Sequence, residues 1–182
     1  MIRMGDKKNG DNCRPRIHES VFIAEGAHIY GDVEIGEDSS VWFNAVIRAE
    51  NGKIRIGRNT NIQDNAVIHN QPMKDVEIGD HVTVGHGAIL RCCKIGSHVM
   101  IGMNATIMSG AEIGDYSIVG SNSLITYDKK FQPQSLITGV PARRASEVAP
   151  DAIKESEWVV EEYRETARRY AHGEIQGHRK RS

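Results

Sequence analysis

Aromatic residues are scarce, with only three phenylalanines and two tryptophans in 182 residues. A core built on large rings is therefore not expected. Cysteine is scarce too: Cys13, Cys92 and Cys93 make an odd set with two adjacent, which excludes a disulfide framework. No Cys-x-x-Cys occurs, so a zinc knuckle is excluded as well, and the cysteines read as reduced fillers of core or interface. There is no excess of either charge, with 23 basic against 24 acidic residues, so a general nucleic-acid or polyanion binder is not indicated. No run of 18 apolar residues exists, so no membrane span is expected. The opening residues carry no apolar signal-peptide core, and Asp6 and Asp11 argue against a transit peptide, which leaves the cytoplasm as the expected compartment.

What the chain does have is glycine, 18 of them, and a repeat. From residue 17 to about 126 an aliphatic anchor recurs every six residues: Ile23, Ile29, Ile35, Val41, Ile47, then Ile56, Ile62, Ile68, then Ile78, Val84, Leu90, and Ile95 through Val119. Asn51-Gly52-Lys53 and residues 70–75 are insertions, and the unit starting at Leu90 is one residue short. Small residues or valine fill most fifth positions. A six-residue unit is too short for a helical repeat; it fits a short strand and a turn. Three units close one triangular coil, and coils stack as parallel strands with anchors inward. Residues 1–16 read as irregular, 127–149 as a connector marked by Pro133 and Gly139-Val140-Pro141, and 174–182 as a tail. Residues 150–173 read as a helix, because Ile153, Val160, Ala167 and Ala171 recur at helical spacing. Its expected role is to cover apolar surface on the flank of the coils.

If anchors three units apart share a face, Ile47, Ile68 and Leu90 stack. The residues that follow them, Arg48, His69 and Arg91, should form one column at the inter-strand spacing of roughly 4.8 Å. Val41, Ile62 and Val84 stack on another face, so Phe43, Asp64 and His86 form a second column beside Gln63. The two columns lie on different sides of one chain and meet only if a second copy presents its face, which asks for a closed oligomer.

The segments Arg48-x-Glu50, Gln63-Asp64 to His69, and His86-Gly87-Ala88-Ile89-Leu90-Arg91 resemble the γ-class carbonic anhydrases, a family of hexapeptide-repeat proteins. The resemblance implies a mainly β fold, a left-handed parallel β-helix, with a C-terminal α-helix packed alongside. It also implies a homotrimer with sites between subunits and three histidine ligands for zinc, or iron in some members. His69 and His86 match two of the metal ligands. Gln63 would orient hydroxide or CO2, Glu50 takes the place of a catalytic-site Asp, and Arg48 and Asp64 would pair between subunits. Arg91 stands at the third ligand position.

A guanidinium is always protonated and has no lone pair to give a metal. At about 5 Å and an effective dielectric of about 20 it repels a dication by of order 6 kcal/mol. Structural zinc gains roughly 10–16 kcal/mol, so a standard three-histidine zinc site is not expected. His81 lies on the third face. Cys92 should point away and Cys93 back toward the site at a corner, so His69, His86 and Cys93 form an alternative ligand set. His18, His28 and His98 read as surface residues. The remaining pocket of Arg48, Gln63, Asp64, His69, His86 and Arg91 suits bicarbonate or another small anion; equally, Arg91 could pair with Glu50 or Asp64 across the interface and only hold the trimer. Three functions are therefore carried forward: a carbonic-anhydrase-like enzyme with an altered site, a non-catalytic trimeric binding or scaffold protein, and a coenzyme A-dependent acyltransferase using a histidine base.

Overall fold

The computed structural model describes residues 13–177. Most of the expected irregular N-terminal segment and the end of the basic tail lie outside them. The described chain is a left-handed parallel β-helix of about seven turns with one C-terminal helix. The repeat builds it directly. Every anchor from Ile35 onward that the sequence singled out is buried inside the coils, and Ile47, Ile62, Ile68 and Leu90 are sealed almost completely. Interior packing of this density leaves no room for a polar residue at an anchor.

The corners follow from the same register. Asp38, Asn44, Asn59, Asn65, His81, His98, Asn104, Tyr116, Asn122 and Asp128 all have positive φ, each three residues after an anchor. Asparagine and aspartate tolerate the left-handed region best. In the short unit after Leu90 the corner arrives one residue early, and Cys92 takes it with φ 45°.

Strands stack in parallel. One sheet follows the strands Phe22–Ile23, Ser40–Val41, Asn61–Ile62, Thr83–Val84, Met100–Ile101 and Ile118–Val119. A second sheet covers the other two faces, joined where the long strands His28–Ile35 and Val46–Ile56 run past a corner. The first insertion is absorbed within Val46–Ile56; the second forms a loop closed by a bridge between Gln71 and Lys74. The parallel ladder also continues beyond residue 126, through Lys130–Phe131 and Ser135–Gly139, before Ala142–Glu147 turns back antiparallel. Phe131 and Ile137 keep the six-residue step, so the same side-chain logic extends there.

The helix α1, Pro150–Ala171, lies across the first sheet and buries Ser156, Val160 and Ala167. Its tyrosines meet the coil's rings: Tyr163 and Tyr170 pack edge-on to Trp42 at 5.2 and 5.6 Å between centroids. Among the described residues no helix is long and apolar enough to cross a membrane.

Candidate functional site between two columns

Backbone register aligns Arg48 with His69 and His69 with Arg91. The preceding residues Ile47, Ile68 and Leu90 face inward, so alternation turns these three outward. His69 Nδ1 lies 2.9 Å from the Arg48 carbonyl oxygen. A carbonyl only accepts, so Nδ1 carries a proton, and in the neutral ring Nε2 then keeps its lone pair. Arg48 forms an ion pair with Glu50. Arg91 is half-buried; its Nε is shielded from solvent and has no acceptor among the described residues. A buried donor without a partner costs free energy and calls for an explanation.

The second column stands at the corner beside α1. Backbone N–H groups of Asn65 and Gly87 donate to the carbonyls of Phe43 and Asp64, which stacks Phe43, Asp64 and His86. His86 Nδ1 donates to Asp64 Oδ2 at 2.7 Å, and the Tyr163 hydroxyl sits 3.1 Å from His86 Nε2. With Nδ1 bearing hydrogen, Nε2 of the neutral ring accepts from the tyrosine. Burial, and then the Asp64 charge, raises the Tyr163 pKa above the usual phenol value, which keeps that donor protonated. Gln63 is buried; its Nε2 donates to Asn61 Oδ1 and its Oε1 accepts from the His86 backbone N–H. Within one chain the structure thus gathers Gln63, Asp64 and His86 in one group, and Arg48, Glu50, His69 and Arg91 in another. No hydrogen bond or ion pair links the two groups among the described residues.

These donors do not fit the three-imidazole metal centre that the resemblance implies. His69 offers one free nitrogen, both nitrogens of His86 are engaged, and Arg91 has no lone pair. The alternative set with Cys93 is overturned. Its side chain packs inside the coil, between the strand positions of Val76 and Ala111, because the short unit brings Cys93 onto the inward small-residue position. Burial, with the charge of Cys92 as a lesser cause, pushes the thiol up to about 12.

His98 is also corrected: it is not an isolated surface residue. Its ring stacks between His81 and Tyr116, at 4.8 and 4.5 Å between centroids, and its Nδ1 lies 3.6 Å from Glu157 of α1. Residues 81, 98 and 116 each sit three places after an anchor of one face, so their register could have revealed the stack. Tyr163 carried no such signal. Helical spacing marks it as a packing residue, and only the docking of α1 brings it to His86.

The chain matches the bacterial transferase hexapeptide model, six repeats, over residues 14–49 and 92–127. It is 47% identical over 138 residues to a "Probable carbonic anhydrase" of Methanocaldococcus jannaschii, covering 76% of this chain and 87% of that one. It is 42% identical over 156 residues to a carbonic anhydrase of Geobacillus kaustophilus, covering 86% of each. A solved Bacillus cereus structure, provisionally assigned as an acetyltransferase, superposes with a TM-score of 0.86 at 39% identity, over 87% of this chain and 92% of that one.

Proposed function

This chain belongs to the γ-class carbonic-anhydrase-like family of hexapeptide-repeat proteins, and on that premise we propose that it forms a homotrimer whose inter-subunit clefts bind bicarbonate or a similar small oxyanion. The observation that carries this reading is Arg91, in register with His69, with a buried Nε that has no acceptor among the described residues. A guanidinium presents paired N–H donors that match two oxygens of a planar oxyanion. Bicarbonate has one further feature, an O–H, and the free Nε2 of His69 is placed on the same column to accept it. Arg48 is already balanced by Glu50, so the charge left to meet an anion is that of Arg91. In the proposed trimer a neighbouring copy brings its Asp64–His86 corner opposite this column. Carbonic-anhydrase-like chemistry at such a site lacks the third imidazole, so binding outweighs turnover.

The test is metal analysis of protein purified without chelator, combined with calorimetric titration of bicarbonate. The expected result is zinc well below one per subunit and saturable bicarbonate binding. Arg91→Gln should weaken that binding roughly tenfold or more, the range of a charge-assisted hydrogen bond. Arg91→His should raise zinc content and CO2 hydration together. One zinc per subunit in the unmodified protein would overturn the reading.

A second reading rests on the Asp64–His86 contact of 2.7 Å, the arrangement of an oriented general base, and on the likeness to the Bacillus cereus structure. Acetyl-coenzyme A hydrolysis that disappears on His86→Ala or His69→Ala would favour acyl transfer instead.

A further inference from the structure

The two columns do not end at the anion site. Ile107 pairs with Leu90, and Ile101 with Val84, so Met108 is the next residue above Arg91 and Met103 the next above His86. Ile107 and Leu90 face inward, which turns Met108 outward as it turns Arg91. The corner register repeats this for Met103: the Asn104 N–H donates to the His86 carbonyl at 2.9 Å, and Met103 is 51% exposed. One coil further on, the columns carry Thr126 and Ser121. Both columns therefore change character at the same coil, from guanidinium or imidazole to thioether to hydroxyl. Two of the chain's six methionines stand at this one level. The apolar column beside Arg91, formed by Val46, Val67 and Ile89, is interrupted there by Thr106. Threonine is shorter than isoleucine, so the wall steps back next to Met108.

Rotation about a threefold axis parallel to the coils moves no residue along them. In the trimer proposed above, Met103 of a neighbouring copy then stands about level with Met108, one inter-strand spacing of roughly 4.8 Å above His86 and Arg91. The cleft so formed is cationic and hydrogen-bonding at one level and apolar at the next. Bicarbonate is polar on all three oxygens, and an oxygen turned toward the thioethers would lose its hydration without gaining a partner. A carboxylate with a hydrocarbon tail satisfies both levels, with its oxygens on Arg91 and its carbons between two flexible, polarisable side chains. We propose that the ligand of the inter-subunit cleft is a short aliphatic monocarboxylate, held by its head on Arg91 and by its tail between Met108 and Met103 of the neighbouring copy. This deepens the anion-site reading and rests on it. Thr126 and Ser121 close the apolar level, which limits the tail to about three or four carbons, the reach of one inter-strand spacing.

The experiment is calorimetric titration of the full-length protein with sodium bicarbonate, formate, acetate, propionate, butyrate and hexanoate at one ionic strength, with sedimentation velocity run alongside. Affinity should climb roughly three- to fourfold per added carbon from formate to butyrate and gain little more at hexanoate. Butyrate should thus bind at least about tenfold tighter than formate or bicarbonate. Met108→Gln and Met103→Gln should each shrink the butyrate-to-formate ratio to about threefold or less, and Met108→Leu should retain most of it. Saturable bicarbonate binding with no dependence on tail length would overturn the tail site and leave the anion site standing. So would a dependence on tail length that neither glutamine variant reduces while sedimenting like the parent chain. Binding of none of these anions would overturn the anion site, and the tail site with it.

Discussion

Cys93 is the residue where burial is easiest to convert into a measurement. Its thiol titrates at about 12 in the fold, against an ordinary value of 9.0. The unfolded chain therefore releases this proton first, and stability present below pH 9 is lost as pH rises toward 12. A shift of that size corresponds to about 4 kcal/mol at full development. Cys93→Ala places in this position the residue that the next coil has at Ala111, and should cost only about 1 kcal/mol at neutral pH. Urea titrations at pH 7 and near pH 10 should show the variant losing less stability with alkali than the parent chain. The same burial means that Ellman's reagent should label Cys13 in the native protein and reach Cys92 and Cys93 only on unfolding. The sequence marked Cys93 as a side chain turned outward, because alternation was counted from Arg91. The shortened unit moved the corner to Cys92 and turned its neighbour inward.

At the scale of elements, α1 and the ring stack behave differently. The helix starts without a side-chain cap: Ala149 has the extended geometry of an N-cap, φ −67° and ψ 144°, but no oxygen to offer the first turn. Ala149→Ser should stabilise the protein by about 0.5–1 kcal/mol, read as a raised urea midpoint with the slope unchanged. The existence of this helix was legible from its spacing and from Pro150. Which rings it would meet was not, because periodicity gives the buried stripe and says nothing of the partner surface.

The His81–His98–Tyr116 stack should make the fold acid-sensitive. Burial, and then the His98 charge, lowers the His81 pKa below 6.5, with Arg58 adding to this while Asp80 and Glu157 oppose it. The unfolded chain then takes up the proton first, so stability falls as pH drops below about 6.5. His81→Asn, which suits the left-handed corner at φ 55°, should flatten this slope in thermal melts followed from pH 7 to about 5.

At the scale of the whole molecule, the outward side of the Arg48–His69–Arg91 face also bears Val46, Val67 and Ile89, of which Ile89 is 39% exposed. A continuous apolar column on a solvent face suits contact between copies. Ile89→Glu should therefore dissociate the proposed trimer in sedimentation runs and remove bicarbonate binding with it, while circular dichroism remains that of a β-solenoid. Retained trimers would place the subunit contact elsewhere.

The six-residue repeat determined by itself that the chain is a parallel coil with aliphatic anchors inside. It also placed Arg48, His69 and Arg91 in one column, because a strand's register fixes which residues are neighbours. Family likeness supplied the histidine pattern, and residue chemistry alone gave the incompatibility of Arg91 with metal ligation. Only the tertiary structure decided that Asp64 and Tyr163 occupy the two nitrogens of His86 and that Cys93 faces the core. These contacts join segments far apart in sequence, and they depend on where a corner falls and how a helix lies, which local periodicity does not encode.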